Sequence, residues 1–74
     1  MIYQIFSARD TLIGFNAPFI MINEQVAKRD FLDRIEQAPP HIRNDLSLWN
    51  IGTFDDETGT IIPKMPEMVI FGKE

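Results

Sequence analysis

The apolar positions change their spacing along the chain, and each change marks a different kind of element. Over residues 1–8 they alternate, with Ile2 and Phe6 on one side and Tyr3 and Ile5 on the other, the two-residue period of a strand with both faces partly covered. Asp10, Gly14 and Asn16 break that pattern and predict a turn or loop over residues 9–16. After Pro18, the run Phe19-Ile20-Met21-Ile22 is too short for a helix and bulky enough for a second strand. From Asn23 the period becomes helical. Ala27, Phe31 and Ile35 recur every four residues, Val26 and Leu32 widen the stripe, and Asn23 and Glu24 suit the cap and the first turn. The other side of this helix sets Glu24 against Lys28, Arg29 against Asp33 and Asp30 against Arg34, opposite charges four residues apart. Pro39-Pro40 ends it.

Residues 47–54 predict a third strand rich in aromatic and β-branched side chains, with Gly52 placed for a bulge or a close backbone approach. Asp55-Asp56-Glu57-Thr58-Gly59 reads as a hairpin loop in which Gly59 supplies positive φ, and residues 60–62 return as the fourth strand. Pro63 and Pro66 lack backbone donors, so the chain beyond them belongs at a sheet edge or outside the sheet. Residues 67–71 have room to add a short fifth strand, against another subunit for instance. The order β-β-α-β-β, with that optional last strand, predicts a single α+β domain over residues 1–74: a small antiparallel sheet of four to five strands with one helix across a face. The other face, with Trp49 and several phenylalanines available, is expected to be too apolar to stay wet, which predicts a homo-oligomer, a dimer or tetramer.

Size strengthens that expectation. A chain of 74 residues buries only about 60% of the surface its unfolded form exposes, and the absence of cysteine removes disulfides and thiolate zinc sites as supports. Hydrophobic residues, 45% of the chain, are spread along its length as in a folded protein. No apolar run approaches the roughly 20 residues that span a bilayer. Residues 1–6 lack a basic stretch and a small-residue cleavage site, so a secretory leader is not expected and a cytosolic setting is. The net charge of −4 argues against indiscriminate attraction to polyphosphate. Three of the acids, however, are consecutive in the predicted hairpin loop, and acids and bases elsewhere nearly balance, so one face can still be locally basic.

Side chains for catalysis are sparse. His41 is the only histidine, which excludes a His-pair metal site within one chain; after two prolines it reads as a surface residue. Ser7 and Ser47 have no neighbouring base or elbow motif. Asp55, Asp56 and Glu57 point apart from one turn instead of converging on a metal, and the calcium-loop pattern would need a glutamate where Pro66 stands. Gly52 and Gly59 belong to no phosphate-cradling motif. No enzyme activity, metal or cofactor is expected. Single-stranded nucleic-acid binding needs cations along a track and exposed rings for stacking. Arg9, Lys28, Arg29, Arg34, Arg43, Lys64 and Lys73 supply the cations, and Tyr3, Phe15, Phe19 and Trp49 the candidate rings. Phe6, Phe31, Phe54 and Trp49 are expected in the core of so small a sheet. On composition alone, nucleic-acid binding and protein–protein binding stand even.

The segment Leu48-Trp49-Asn50-Ile51-Gly52-Thr53-Phe54-Asp55-Asp56-Glu57-Thr58 resembles a recurring stretch of the small nonstructural protein of gokushovirus-type phages, the single-stranded DNA Microviridae of bacteria. Ile2-Tyr3-Gln4-Ile5-Phe6, Ala17-Pro18-Phe19 and Ala27-Lys28-Arg29-Asp30-Phe31 follow the same order at similar spacing, so nearly the whole chain is covered, more loosely after Pro63. The resemblance implies a protein made in the host bacterial cytoplasm, absent from the mature virion, and acting in genome replication or the switch from replication to packaging. It carries over no catalytic residue. Within it, Arg9, Lys28, Arg29 and Arg34 are the candidate phosphate contacts, and Tyr3 and Trp49 the candidate stacking platforms, for single-stranded DNA held by an oligomer. The alternative is an adaptor for a host or phage replication protein.

Overall fold

Strand β1 (Ile2–Asp10) is the axis on which the sheet is built. In the computed structural model, which describes residues 1–72, two short strands, β2 (Gly14–Phe15) and β3 (Phe19–Met21), pair with one side of β1, and β4 (Leu46–Asp55) pairs with the other. Strand β5 (Thr60–Phe71) lies outside β4. Every pairing is antiparallel. Helix α1 (Glu24–Glu36) and the single turn α2 (Pro40–Arg43) connect β3 to β4. The small α+β architecture expected from the hydrophobic pattern is the one observed.

Helix α1 forms as its sequence dictates. The Asn23 side chain accepts the Val26 N–H at 2.9 Å, and Ala27, Phe31 and Ile35 are the buried positions. They meet Phe6 of β1 and Leu48 of β4 in one cluster, flanked by Phe19, Met21 and Val69. Of the three expected ion pairs, Asp30–Arg34 closes at 2.9 Å; among the described residues the other two do not. A solvated pair gains so little that side-chain entropy decides whether it forms. Pro39-Pro40 ends α1 as expected, but Pro40 also opens α2, since a proline at the first helical position loses no hydrogen bond.

Three further departures have local causes. The segment expected as loop folds back as β2 because Asp10 makes a side-chain turn, its Oδ1 accepting the Leu12 N–H at 2.9 Å, and Gly14 adopts φ 118°. Residues 60–62 and 67–71, expected as two strands, form one strand of 12 residues passing through both prolines. It pairs with β4 of the same chain. At an edge the outward side needs no donor, and the irregularity is absorbed where Asn50 pairs with Glu67 but Gly52 pairs with Pro63. Finally, Phe6 and Phe31 are buried as expected, whereas Phe54 and Trp49 are only half-buried, because they point away from α1.

A second bulge orders the strands. Ile51 is the extra residue where Ile5 pairs with Gly52 and Phe6 with Asn50. The buried Asn50 holds the distortion: its amide donates to Gln4 Oε1 at 2.9 Å, and its oxygen accepts the Gly52 N–H at 3.1 Å. Gly52 fits there because a Cβ would stand 2.6 Å from the Ile62 carbonyl oxygen. Beyond the helix the β4–β5 hairpin projects, stretching the molecule to 41 Å against 21 and 16 Å. Its loop closes on Gly59 at φ 75°. The Met1 amine donates to Asp56 Oδ1 at 2.7 Å, a hydrogen bond that raises its pKa above the ordinary value.

Candidate nucleic-acid interface

Residues paired directly across antiparallel strands point to the same face, so the register sorts the side chains into two sets. Phe6, Ala8 and Leu48 face α1. Tyr3, Ile5, Ser7 and Arg9 of β1 face the opposite way, together with their partners Phe54, Gly52, Trp49 and Ser47 on β4, and with Phe15 and Ile20 on β2 and β3. No helix among the described residues packs on that second, open face, although Ile5, Ser7 and Ser47 are buried on it beneath their neighbours.

At one end of the open face three side chains form a cluster. The Arg9 guanidinium lies 5.8 Å from the centroid of the Phe15 ring and 6.0 Å from that of Trp49. The two rings meet edge to face at 5.9 Å with an interplanar angle of 77°. Each cation–ring contact contributes about 0.5–1 kcal/mol at an exposed site. The indole is braced from below, its Nε1–H donating to Ser47 Oγ at 2.7 Å. The Asp10–Gly14 turn is what returns Phe15 over Arg9, and two bonds fix that return: Asn16 N–H to the Ala8 carbonyl at 2.8 Å and Ser7 Oγ to the Asn16 carbonyl at 2.8 Å. Among the described residues no carboxylate pairs with Arg9. Its N–H donors are therefore left for a ligand, while Phe15, 48% exposed, presents a ring to solvent.

The six candidates named from the sequence separate into two groups. Arg9, Trp49 and Tyr3 share the open face, although Tyr3 stands six residues from Arg9 along β1, about 20 Å. Lys28, Arg29 and Arg34 sit on α1, across the sheet, and Arg34 is tied to Asp30. One chain therefore does not join them in a single track. Of the remaining cations, Lys64 pairs with Glu67 at 3.2 Å, Arg43 borders a cleft of about 370 Å³ beside Ile35 and Ile70, and Lys73 lies outside the described residues. Phe15, one ring candidate among several in the sequence, is the one that the fold sets against Arg9. Its only local signal was the turn before it.

The polar groups considered for catalysis are placed elsewhere. The Ser7 hydroxyl is bound to a backbone carbonyl, Ser47 Oγ accepts from the indole, and His41 is exposed on α2. Among the described residues no group of three metal-ligating side chains converges, and no helix is long and apolar enough to cross a membrane. Comparison with curated proteins and with solved structures finds no match. A family model described as Phage ORF5 protein matches residues 3–74, almost the entire chain, and the chain belongs to that family of phage proteins.

Proposed function

We propose that this phage protein is a non-enzymatic accessory factor of a gokushovirus-type member of the Microviridae, binding single-stranded DNA without sequence preference as an oligomer. It acts in the host cytoplasm during genome replication or the switch to packaging and is left out of the virion. The observation that carries this reading is the Arg9–Phe15–Trp49 cluster on the uncovered sheet face. A guanidinium held by two rings and free of carboxylates offers a phosphate contact beside a stacking surface, the pair of features that single strands need. One such platform per chain is weak. Copies joined together line up several, and multivalency offsets the modest charge of each.

A salt series with a labelled oligonucleotide tests this. Affinity is expected to fall steeply with salt and to favour single strands over duplex. Trp49→Ala is expected to remove the stacking contribution, about 1–3 kcal/mol per base, and Arg9→Ala to flatten the salt slope by about 0.7 for each phosphate it no longer neutralises. The adaptor reading, for a host or phage replication protein, draws on the apolar side chains that β5 exposes, Ile62 and Met65 among them. Absence of DNA binding at low salt and high micromolar protein selects it and rejects the DNA reading.

A further inference from the structure

Burial is distributed unevenly along the sheet. The core that Phe6 and Leu48 make with α1 lies to one side of Ile51, and over residues 53–68, on the other side and around the hairpin loop, no residue is buried. At the level of Ile51 both ladders of β4 break. Toward β1, Ile5 pairs with Gly52 and Phe6 with Asn50, so Ile51 is left out of register. Toward β5, Gly52 pairs with Pro63 and Asn50 with Glu67, which leaves out Lys64, Met65 and Pro66. A bulge disrupts the hydrogen-bond ladder locally and bends its strand, and here two such breaks coincide on one residue.

We propose that the distal hairpin, residues 52–63, is a strap that swings off β1 as one unit, hinged at Asn50, Ile51 and Gly52, while the α1 core stays folded. β1 does not leave with it, because β3 splints β1 across the same level, Gln4 to Met21, Ile5 to Ile20 and Phe6 to Phe19. Two side-chain ties hold the strap. At the hinge the Asn50 amide donates to Gln4 Oε1 at 2.9 Å, and at the tip the exposed Asp56 accepts from the Met1 amine at 2.7 Å. A segment with few buried apolar groups and solvent-exposed backbone bonds opens at lower cost than a core, and two strands alone add little stability of their own. What the strap covers gives the opening its consequence. Ile5 is only 7% exposed although it faces away from α1, and Ile61 and Pro63 of the strap stand with Ile20 and Ile51 around the cleft of about 270 Å³ that Ile5 lines. Opening bares Ile5 and frees the flank of β1 over residues 2–5 to pair with another strand. Arg9, Phe15 and Trp49 lie on the core side of the hinge, so their cluster is the same in both states, and the strap stands independently of the DNA reading.

Native-state hydrogen exchange on the full chain, followed by NMR over a series of sub-denaturing urea concentrations, tests the proposal. Protected amides within residues 53–62 are expected to show protection at least about a hundredfold below that at Phe31 and Ile35, with little dependence on urea, because a local opening exposes little surface. Ala27→Gly, in the core helix, is expected to lower protection at Phe31 and Ile35 about fivefold and to leave the strap unchanged. Asp56→Asn is expected to do the reverse, lowering strap protection about two- to threefold without moving the core. Strap amides that share the protection and urea slope of Phe31 and Ile35, or that fall with them in Ala27→Gly, overturn the proposal, since the sheet then opens only as a whole.

Discussion

The two faces of the sheet are made from the same strands and similar residues, yet their surroundings differ. On the α1 side Phe6 and Leu48 are fully buried with Ala27, Phe31 and Ile35. On the open side Phe15, Trp49 and Ile20 stay partly in water, and the packing there is cation on ring and edge on face. The core packed under α1 therefore lies on one face, while the other leaves a cation and two rings at the surface above the buried Ile5, Ser7 and Ser47.

The sharpest way to break that contrast is to make one substitution on both faces. Phe6→Ala empties the core and is expected to cost about 3–5 kcal/mol, enough to leave the domain largely unfolded in a urea titration. At the joint between the faces, Gly52→Ala drives a methyl against the Ile62 carbonyl and is expected to cost about 1–3 kcal/mol, with accelerated hydrogen exchange in the β4–β5 hairpin. On the open face, Phe15→Ala is expected to cost about 1 kcal/mol, the scale of one aromatic pair, while lowering DNA affinity. A stability loss as large as that of Phe6→Ala shows that the open face is core after all. The smallest effect belongs to the outer side of α1, where Asp30→Ala removes the exposed Asp30–Arg34 pair and is expected to change stability by no more than about 0.5 kcal/mol.

What the sequence made legible is what depends on neighbours in the chain. The stripe Ala27, Phe31, Ile35, the Asn23 cap, and the roles of Gly52 and Gly59 are all short-range facts, and each is observed. The unbroken β5 was not legible, because whether Pro63 and Pro66 are tolerated depends on what lies along the outer side of the strand. The candidate site was half legible for a related reason. Arg9 and Trp49 lie 40 positions apart, and only the register across β1 and β4 brings them to one face. The same register leaves Lys28, Arg29 and Arg34 on the far side. Family membership established a phage protein, and geometry shows which of its cations lies against rings on the open face.

The central position of β1 has a consequence for how the molecule comes into being. It is made before β3 and β4, and β3 can zip onto it soon after, Gln4 against Met21. The partner on its other flank, β4, pairs Ile2 with Asp55 and Tyr3 with Phe54, contacts that span most of the polypeptide. Loops that long close slowly. The nascent chain therefore carries a half-zipped, sticky middle strand until β4 has been made, and a cell producing the protein in quantity is expected to depend on chaperones to keep that intermediate apart from its neighbours.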